Sequence, residues 1–296
     1  MRIITGLLFG FMMFVGFSQD RNSLNIGVFA DCQYCDCETA GNRFYRNSLQ
    51  KLSESINHFN ENTKVDFVVN MGDFIDRDIE SFIPLNSILQ ESDKPVINLP
   101  GNHDFAVEPE NRNKIAGMLG LKEMYHSFVQ EDWKFIFTDG NDISFNSDDP
   151  EKVDIAKQMT KKLKENGDPN FYEWNGGIGH KQLVWLKNQL EEAKQEQLKV
   201  VVFCHYPLLP QGAHTLWNYG EVLAILNNYK CVKLWMNGHN HAGNYAFDEG
   251  IHFVTLKGMV ETEKENAFAE MVLSDNLIEI RGYGREENRR LKLDEK

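Results

Sequence analysis

Five apolar, strand-like runs in this chain each end in residues that can hold a metal, and that repetition constrains the fold more than any other feature. "NIGVFA" leads into Asp31-Cys32-Gln33, "VDFVVNM" into Gly72-Asp73, and "PVINLP" into Gly101-Asn102-His103-Asp104. "KVVVFC" delivers His205, and "CVKLWMN" delivers Gly238-His239-Asn240-His241. Taken singly these are weak signals, because a histidine at a strand end is commonly a satisfied structural residue. Together they predict one ligand site at the carboxyl ends of the strands, where open α/β sheets place their sites.

Helical patterns separate the strands. "FYRNSLQKLSESINHFNEN" sets Leu49, Leu52, Ile56 and Phe59 at helical spacing, and "IESFIPLNSILQES" predicts a second helix despite Pro84. "WKFIFTD" reads as another strand and "KQLVWLKNQLEEAKQEQ" as another helix. This alternation predicts a layered α/β domain whose helices cover a largely parallel sheet. From "NYAFDEGIHFVTLKG" to "DNLIEIRGYG" the helical patterns stop, which predicts a second, more antiparallel sheet packed on the first. The segment 141–179 is polar and rich in Asp, Lys and Asn. It reads as a long loop, either a substrate loop or a spacer.

A net charge of −13 disfavours broad binding to nucleic acid or to an anionic membrane, because both attract basic surfaces. An anionic small substrate then needs a local positive centre, which a metal site supplies. At the N-terminus, Arg2 precedes an apolar run from Ile3 to Phe17 and then Ser18 and Gln19. That is the layout of a secretory signal, expected at 1–18, with an uncleaved anchor as the alternative. The run is short for a membrane span. The expected protein is therefore secreted or periplasmic, with no stable membrane association once the signal is cleaved. No motif bears on its oligomeric state.

The five cysteines are Cys32, Cys35, Cys37, Cys204 and Cys231. An odd, sparse set in a chain of this size does not make a disulfide scaffold. "DCQYCDC" could be a cysteine metal knot, a redox loop, or a carboxylate site with cysteines as bystanders. A cysteine zinc knuckle lacks its second pair, and no helix N-terminus closely follows Cys32-x-x-Cys35. Cys32 is expected to stay reduced in the core, with Cys35 and Cys37 in a turn.

The ordered set Asp-x-Gln, Gly-Asp, Gly-Asn-His-Asp, His, Gly-His-x-His, running from Asp31 to His241, resembles the calcineurin-like metallophosphoesterase superfamily. The resemblance implies a four-layer αββα sandwich over 24–285, with a dinuclear metal centre at the strand ends. Carried over residue by residue, it implies that Asp31, Gln33, Asp73 and His241 serve one metal. Asp73 bridges to a second metal, held with Asn102, His205 and His239. Oxygen and imidazole ligands without thiolate suit Mn²⁺, Fe or Zn²⁺, and a shared carboxylate suits ions roughly 3.5–4 Å apart. Gln33 stands where many relatives have His. A carboxamide oxygen is the harder ligand, so the first site should shift towards Mn²⁺ or Mg²⁺. Two divalent ions are expected, Mn²⁺ foremost, with Fe, Zn²⁺ or Mg²⁺ as alternatives.

"ADCQYCD", "FNEN", "WNGGIGHKQLVWL", "LWNYGEVLAIL" and "NGHNHAGNYAFDEGIHFVTLKGMVET" further resemble the manganese-dependent ADP-ribose/CDP-alcohol diphosphatases. The implied activity is cleavage of the diphosphate bond in a small nucleotide-type substrate such as ADP-ribose or CDP-choline. The alternative is a generic metallophosphoesterase acting on phosphomonoesters or cyclic nucleotides, which need not carry the "WNGG" and "LWNY" pair. An inactive binding homologue is disfavoured, because every ligand position holds a competent residue. His103 is the expected group for oxyanion stabilisation or leaving-group protonation, with Asp104 orienting its imidazole. Cys204 reads as a strand-end core residue, since phosphoryl transfer needs no protein nucleophile. Trp174, Asn175, Gly176 and Gly177 form one candidate substrate segment, and Trp217, Asn218 and Tyr219 another. For both, helix lead-in or packing is the competing explanation.

Overall fold

The computed structural model describes residues 23–293. The expected signal at 1–18 lies outside the described residues. In chain order the elements begin with β1 (Leu24–Phe29), α1 (Ser48–Glu61), β2 (Phe67–Asn70), α2 (Phe82–Leu89), β3 (Val96–Asn98) and the short α3 (Ile115–Met118). There follow β4 (His126–Gln130), β5 (Trp133–Phe137), α4 (Pro150–Asn166), α5 (His180–Gln195), β6 (Lys199–Phe203), α6 (Tyr219–Leu226) and β7 (Val232–Asn237). The chain closes with β8 (Ala242–Asp248), β9 (Ile251–Lys257), β10 (Ala267–Leu273), β11 (Leu277–Gly284) and β12 (Arg289–Lys292).

The strands form two six-stranded sheets, β12-β11-β10-β1-β2-β3 and β4-β5-β6-β7-β9-β8. Strand alternation explains the layering. Ile26 and Val28 of β1 face inward with Val69, meeting Phe135, Val201, Phe203, Leu234 and Val254 of the other sheet. Phe29 and Val68 face outward onto Leu52, Ile56 and Phe59 of α1 and Phe82 and Leu85 of α2. On the far side, Val200, Val202 and Trp235 pack under Leu186 and Leu190 of α5 and Val222 of α6. Each such buried side chain stabilises the fold by about 1.5–3 kcal/mol. The result is the expected αββα sandwich.

Two expectations are corrected. The C-terminal strands build no separate sheet. β10 pairs antiparallel with β1, while β9 pairs parallel with β7 and antiparallel with β8, so the tail is divided between the two sheets, both of which are mixed. The segment 141–179 is not a loop throughout, because it contains α4. Asp149 caps that helix through its carboxylate to the Glu151 N–H, Pro150 stands in the first turn, and Gly167 ends it at φ 77°. Ala156 of α4 is buried with Ile143 and Trp217. No helix among the described residues is long and apolar enough to cross a membrane.

Candidate metal centre

The parallel strands β1, β2 and β3 of one sheet and β6 and β7 of the other bring their carboxyl ends together. The first sheet supplies oxygen donors from Asp31, Gln33, Asp73 and Asn102. The second supplies the imidazoles of His205, His239 and His241. Asp73 Oδ2 lies 3.3 Å from His205 Nε2, and His241 Nε2 lies 3.6 Å from Asp31 Oδ1. Donor atoms of Asp73, His205 and His239 all fall within 4.8 Å of one another. The sequence-predicted ligand set is thus one cluster.

Its backbone is held in an uncommon conformation. Asp31, Gln33, Asp73 and His239 have φ of 54°, 43°, 52° and 68°, the left-handed region that non-glycine residues rarely adopt. Such positions cost on the order of 1–3 kcal/mol each and persist where surrounding bonds over-determine them. Here the Gln33 N–H donates to the Asp73 carbonyl at 2.8 Å, the Asp31 N–H to Gly72 at 3.1 Å, and the His103 N–H to Asp73 Oδ1 at 2.8 Å. Gly72, at φ 94°, has no room for a side chain, since a Cβ would come within 2.7 Å of the Gly101 nitrogen.

Outer partners fix the nitrogen that each histidine offers. His205 Nδ1 lies 2.8 Å from the Met71 carbonyl, which makes it the N–H and leaves Nε2 as a donor. His241 Nδ1 bonds to Glu261 Oε1 at 2.8 Å, leaving Nε2 facing Asp31. His239 Nε2 bonds to Asn175 Oδ1 at 2.9 Å. Asn175 Nδ2 donates to the Asn170 and Ala213 carbonyls, so its oxygen is the acceptor and His239 Nδ1 is left free. Partners of this kind orient metal ligands and set their tautomers.

The cluster fits divalent cations on its own chemistry. Gln33 Oε1, Asn102 Oδ1 and His205 Nε2 are buried and have no hydrogen-bond partner. Buried polar atoms without partners are rare and costly, and cations satisfy all three at once. Charge balance points the same way. Burial drives the Asp31 carboxyl up against the pull of His241 and His205, and drives His239 well below the usual imidazole range. Burial also opposes charge on His205, but the Asp73 carboxylate beside it raises that imidazole to about 9. Asp73 is held far below the usual carboxylate range by His205 and His103, against its own burial.

His103 lines the cavity above this cluster, which has a volume of about 380 Å³. Asp104 does not orient it, contrary to expectation. The Asp104 carboxylate accepts the Phe74, Ile75 and Gly101 N–H groups at 2.8–3.1 Å and so ties the β2 and β3 loops together. Asp76 takes the orienting position, with His103 Nδ1 3.1 Å from its carbonyl and 3.3 Å from its carboxylate. Burial and the Asp73 charge raise the Asp104 carboxyl to about 7.

Of the candidate substrate contacts, only Trp174 lines the cavity. It is 42% exposed and stacked on Tyr172 with ring centroids 4.1 Å apart. Asn175 is buried behind His239 rather than open to a substrate. Gly176 packs on the Gly140 carbonyl and the Tyr206 ring, and Gly177 bridges Ile143, so both serve backbone packing. Trp217 is buried, its indole N–H donating to the Tyr172 carbonyl at 3.1 Å. Asn218 clamps both backbone groups of Ile178, and Tyr219, the first residue of α6, packs against the core cluster that holds Leu186 and Val222. Sequence reasoning missed Arg43 and His214, which line the cavity, and the partners Asp76 and Glu261. Arg43 sits in a short turn paired with Ala40 and with Glu261, and no sequence signal marks it.

The cysteine loop resolves in part as expected. Cys32 is buried and free, as is Cys204. Cys35 and Cys37, expected in a turn with their pairing open, are joined as a disulfide.

A model of the calcineurin-like phosphoesterase family matches residues 24–243. The manganese-dependent ADP-ribose/CDP-alcohol diphosphatase of Xenopus laevis is 32% identical over 317 residues, covering 90% of this chain and 89% of its own. The protein of that name from Arabidopsis thaliana is 30% identical, covering 88% of this chain and 94% of its own. Among solved structures, a dimetal phosphatase from Danio rerio superposes with a TM-score of 0.81 at 25% identity, covering 92% of this chain and 99% of that one.

Proposed function

Because the chain belongs to the calcineurin-like phosphoesterases, and among them to the manganese-dependent ADP-ribose/CDP-alcohol diphosphatases, we propose that it hydrolyses the diphosphate bond of nucleoside diphosphate–X compounds. The observation that carries this is the convergence of Gln33 Oε1, Asn102 Oδ1 and His205 Nε2, buried and unpartnered, around the Asp73 carboxylate. Asp31, Gln33, Asp73 and His241 would hold one Mn²⁺, and Asp73, Asn102, His205 and His239 a second. Bound there, the two ions supply an activated water and charge for the phosphoryl oxygens.

The chain's own residues do the rest. His103, held through Nδ1 by Asp76, keeps its other nitrogen for the leaving-group oxygen. Trp174 offers an exposed aromatic face to a nucleobase, and Arg43 a guanidinium to the phosphate that is not attacked. A monoester has no second phosphate, so Arg43 is what favours a diphosphate. The apolar run after Arg2 supports export of the enzyme from the cytoplasm.

The test is a substrate panel after chelation and Mn²⁺ re-addition. ADP-ribose and CDP-choline should each yield two monophosphates, and faster turnover of a phosphomonoester or of cyclic AMP would overturn the proposal. Arg43→Ala should raise KM for ADP-ribose about 10- to 100-fold, the scale of one hydrogen bond between charged groups. Its effect on p-nitrophenyl phosphate should be small. Equal losses on both would remove Arg43 from the second-phosphate position. Gln33→His should raise activity with Zn²⁺ or Fe relative to Mn²⁺, since imidazole is the softer ligand. An unchanged metal profile would place Gln33 outside the ligand set.

A further inference from the structure

We propose that the Cys35–Cys37 disulfide positions His103 by acting through Asp76, so that turnover depends on the oxidation state of this pair. The proposal rests on His103 as the leaving-group donor. Cys35 is fully buried against Tyr45 and Val260, while Cys37 packs on the same cluster from a half-buried position. Both sulfurs and an Asp76 carboxylate oxygen lie within 4.8 Å of one another. Asp76 in turn holds His103 Nδ1, and its second carboxylate oxygen is 2.6 Å from Arg77. The backbone joins the same groups. The Tyr34 N–H donates to Phe74, and the Asp76 N–H donates to the Tyr34 carbonyl at 3.0 Å. The disulfide thus closes the turn immediately after the residue on which Asp76 hangs.

A disulfide brings no proton to Asp76. Its reduction sets two S–H donors beside a carboxylate already shared by His103 and Arg77, and each donor competes with the imidazole. It also releases the turn that follows Tyr34. Both effects loosen the hold of Asp76 on His103 while leaving the metal-binding atoms in place. A phosphine reduces disulfides and not thiols, and among the described residues the disulfide is Cys35–Cys37, so the chemistry is confined to this pair.

A water-soluble phosphine is the probe, because dithiols themselves bind divalent metals. The phosphorus attacks the more accessible Cys37 sulfur, the S–S bond breaks, and Cys35 leaves as a thiolate that takes a proton from water. The remaining hydroxide attacks the thiophosphonium, releasing Cys37 as a thiol and forming the phosphine oxide. Two electrons pass from phosphorus to the two sulfurs.

The Mn²⁺-loaded enzyme is assayed before and after phosphine treatment on aryl phosphodiesters of graded leaving-group pKa, with metal content measured in parallel. An aryl phosphodiester has one phosphate and no nucleoside, so the series reports on His103 independently of whether nucleoside diphosphate compounds are the substrate. On the poorest leaving groups kcat should fall about tenfold, the scale of one weakened hydrogen bond to a charged group. KM and bound metal should be unchanged, the loss should shrink as leaving groups improve, and reoxidation should restore kcat. A Cys35→Ser/Cys37→Ser variant should show the low kcat and ignore phosphine. If that variant does not fold, the reduced native chain decides alone. Full kcat in the reduced, metal-replete enzyme would overturn the proposal. So would an equal loss on every leaving group, or a loss that follows departing metal.

Discussion

Asp73→Asn should abolish metal loading and turnover together. Asp73 is the carboxylate that the ligand assignment shares between the two cations. Its Oδ2 faces His205 Nε2 at 3.3 Å and accepts from Gln33 Nε2 at 3.1 Å, and its Oδ1 takes the His103 N–H at 2.8 Å. Asparagine keeps the shape and tolerates the φ of 52° at this position, so the loops should still form. What is lost is one negative charge from the centre of a site that must neutralise two cations. Losing even an outer partner of a metal ligand typically costs 10- to 100-fold, so loss of a shared ligand should cost more than about 100-fold in turnover. Metal analysis of the folded variant is the check. Two bound ions with near-normal turnover would remove Asp73 from the bridging position.

The ligand set was legible because each member follows a short apolar run bounded by turn residues, the pattern of a strand, and parallel strands end on one side of a sheet. What surrounds the ligands was not legible. Asn175 and His239 are 64 residues apart in sequence, and Glu261 reaches His241 only after β8 and β9 have folded back. Asp104 was taken as the partner of His103 because it is the next residue. The two lie in a 3-10 turn from His103 to Phe105, where neighbouring side chains point about a third of a turn apart. His103 therefore faces the cavity, and Asp104 faces the β2 loop. Trp217 and Asn218 misled for a related reason: a motif beside a site need not point into it. The helix α4 was in principle readable, since Asp149, Pro150 and Gly167 mark its ends. The Cys35–Cys37 link was not, because spacing alone cannot tell a bonded pair from a free one.

His103→Gln should lower kcat by roughly 10²–10⁴, the range for loss of a general acid–base group, with both metals retained. Metals should stay because the cluster uses Asn102, not His103, and because the backbone N–H to Asp73 survives any change of side chain. The proton belongs on this imidazole for a definable reason. Burial works against its charge, but the Asp73 and Asp76 carboxylates outweigh it and raise His103 to about 9. Bound cations oppose the Asp73 contribution directly, since that carboxylate becomes their ligand. Asp76 lies outside the ligand set, so it is the group that keeps a proton at His103 in the loaded enzyme. Asp76→Asn should therefore lower kcat as well, by less than removal of the imidazole, and again without loss of metal. The discriminating measurement is leaving-group dependence. If His103 gives its proton to the departing oxygen, the cost of His103→Gln shrinks steadily from alkyl phosphates to p-nitrophenyl esters, which leave without protonation. A cost that stays level across that series would mean that His103 steadies charge on the phosphoryl oxygens and that the proton for the leaving group comes from elsewhere.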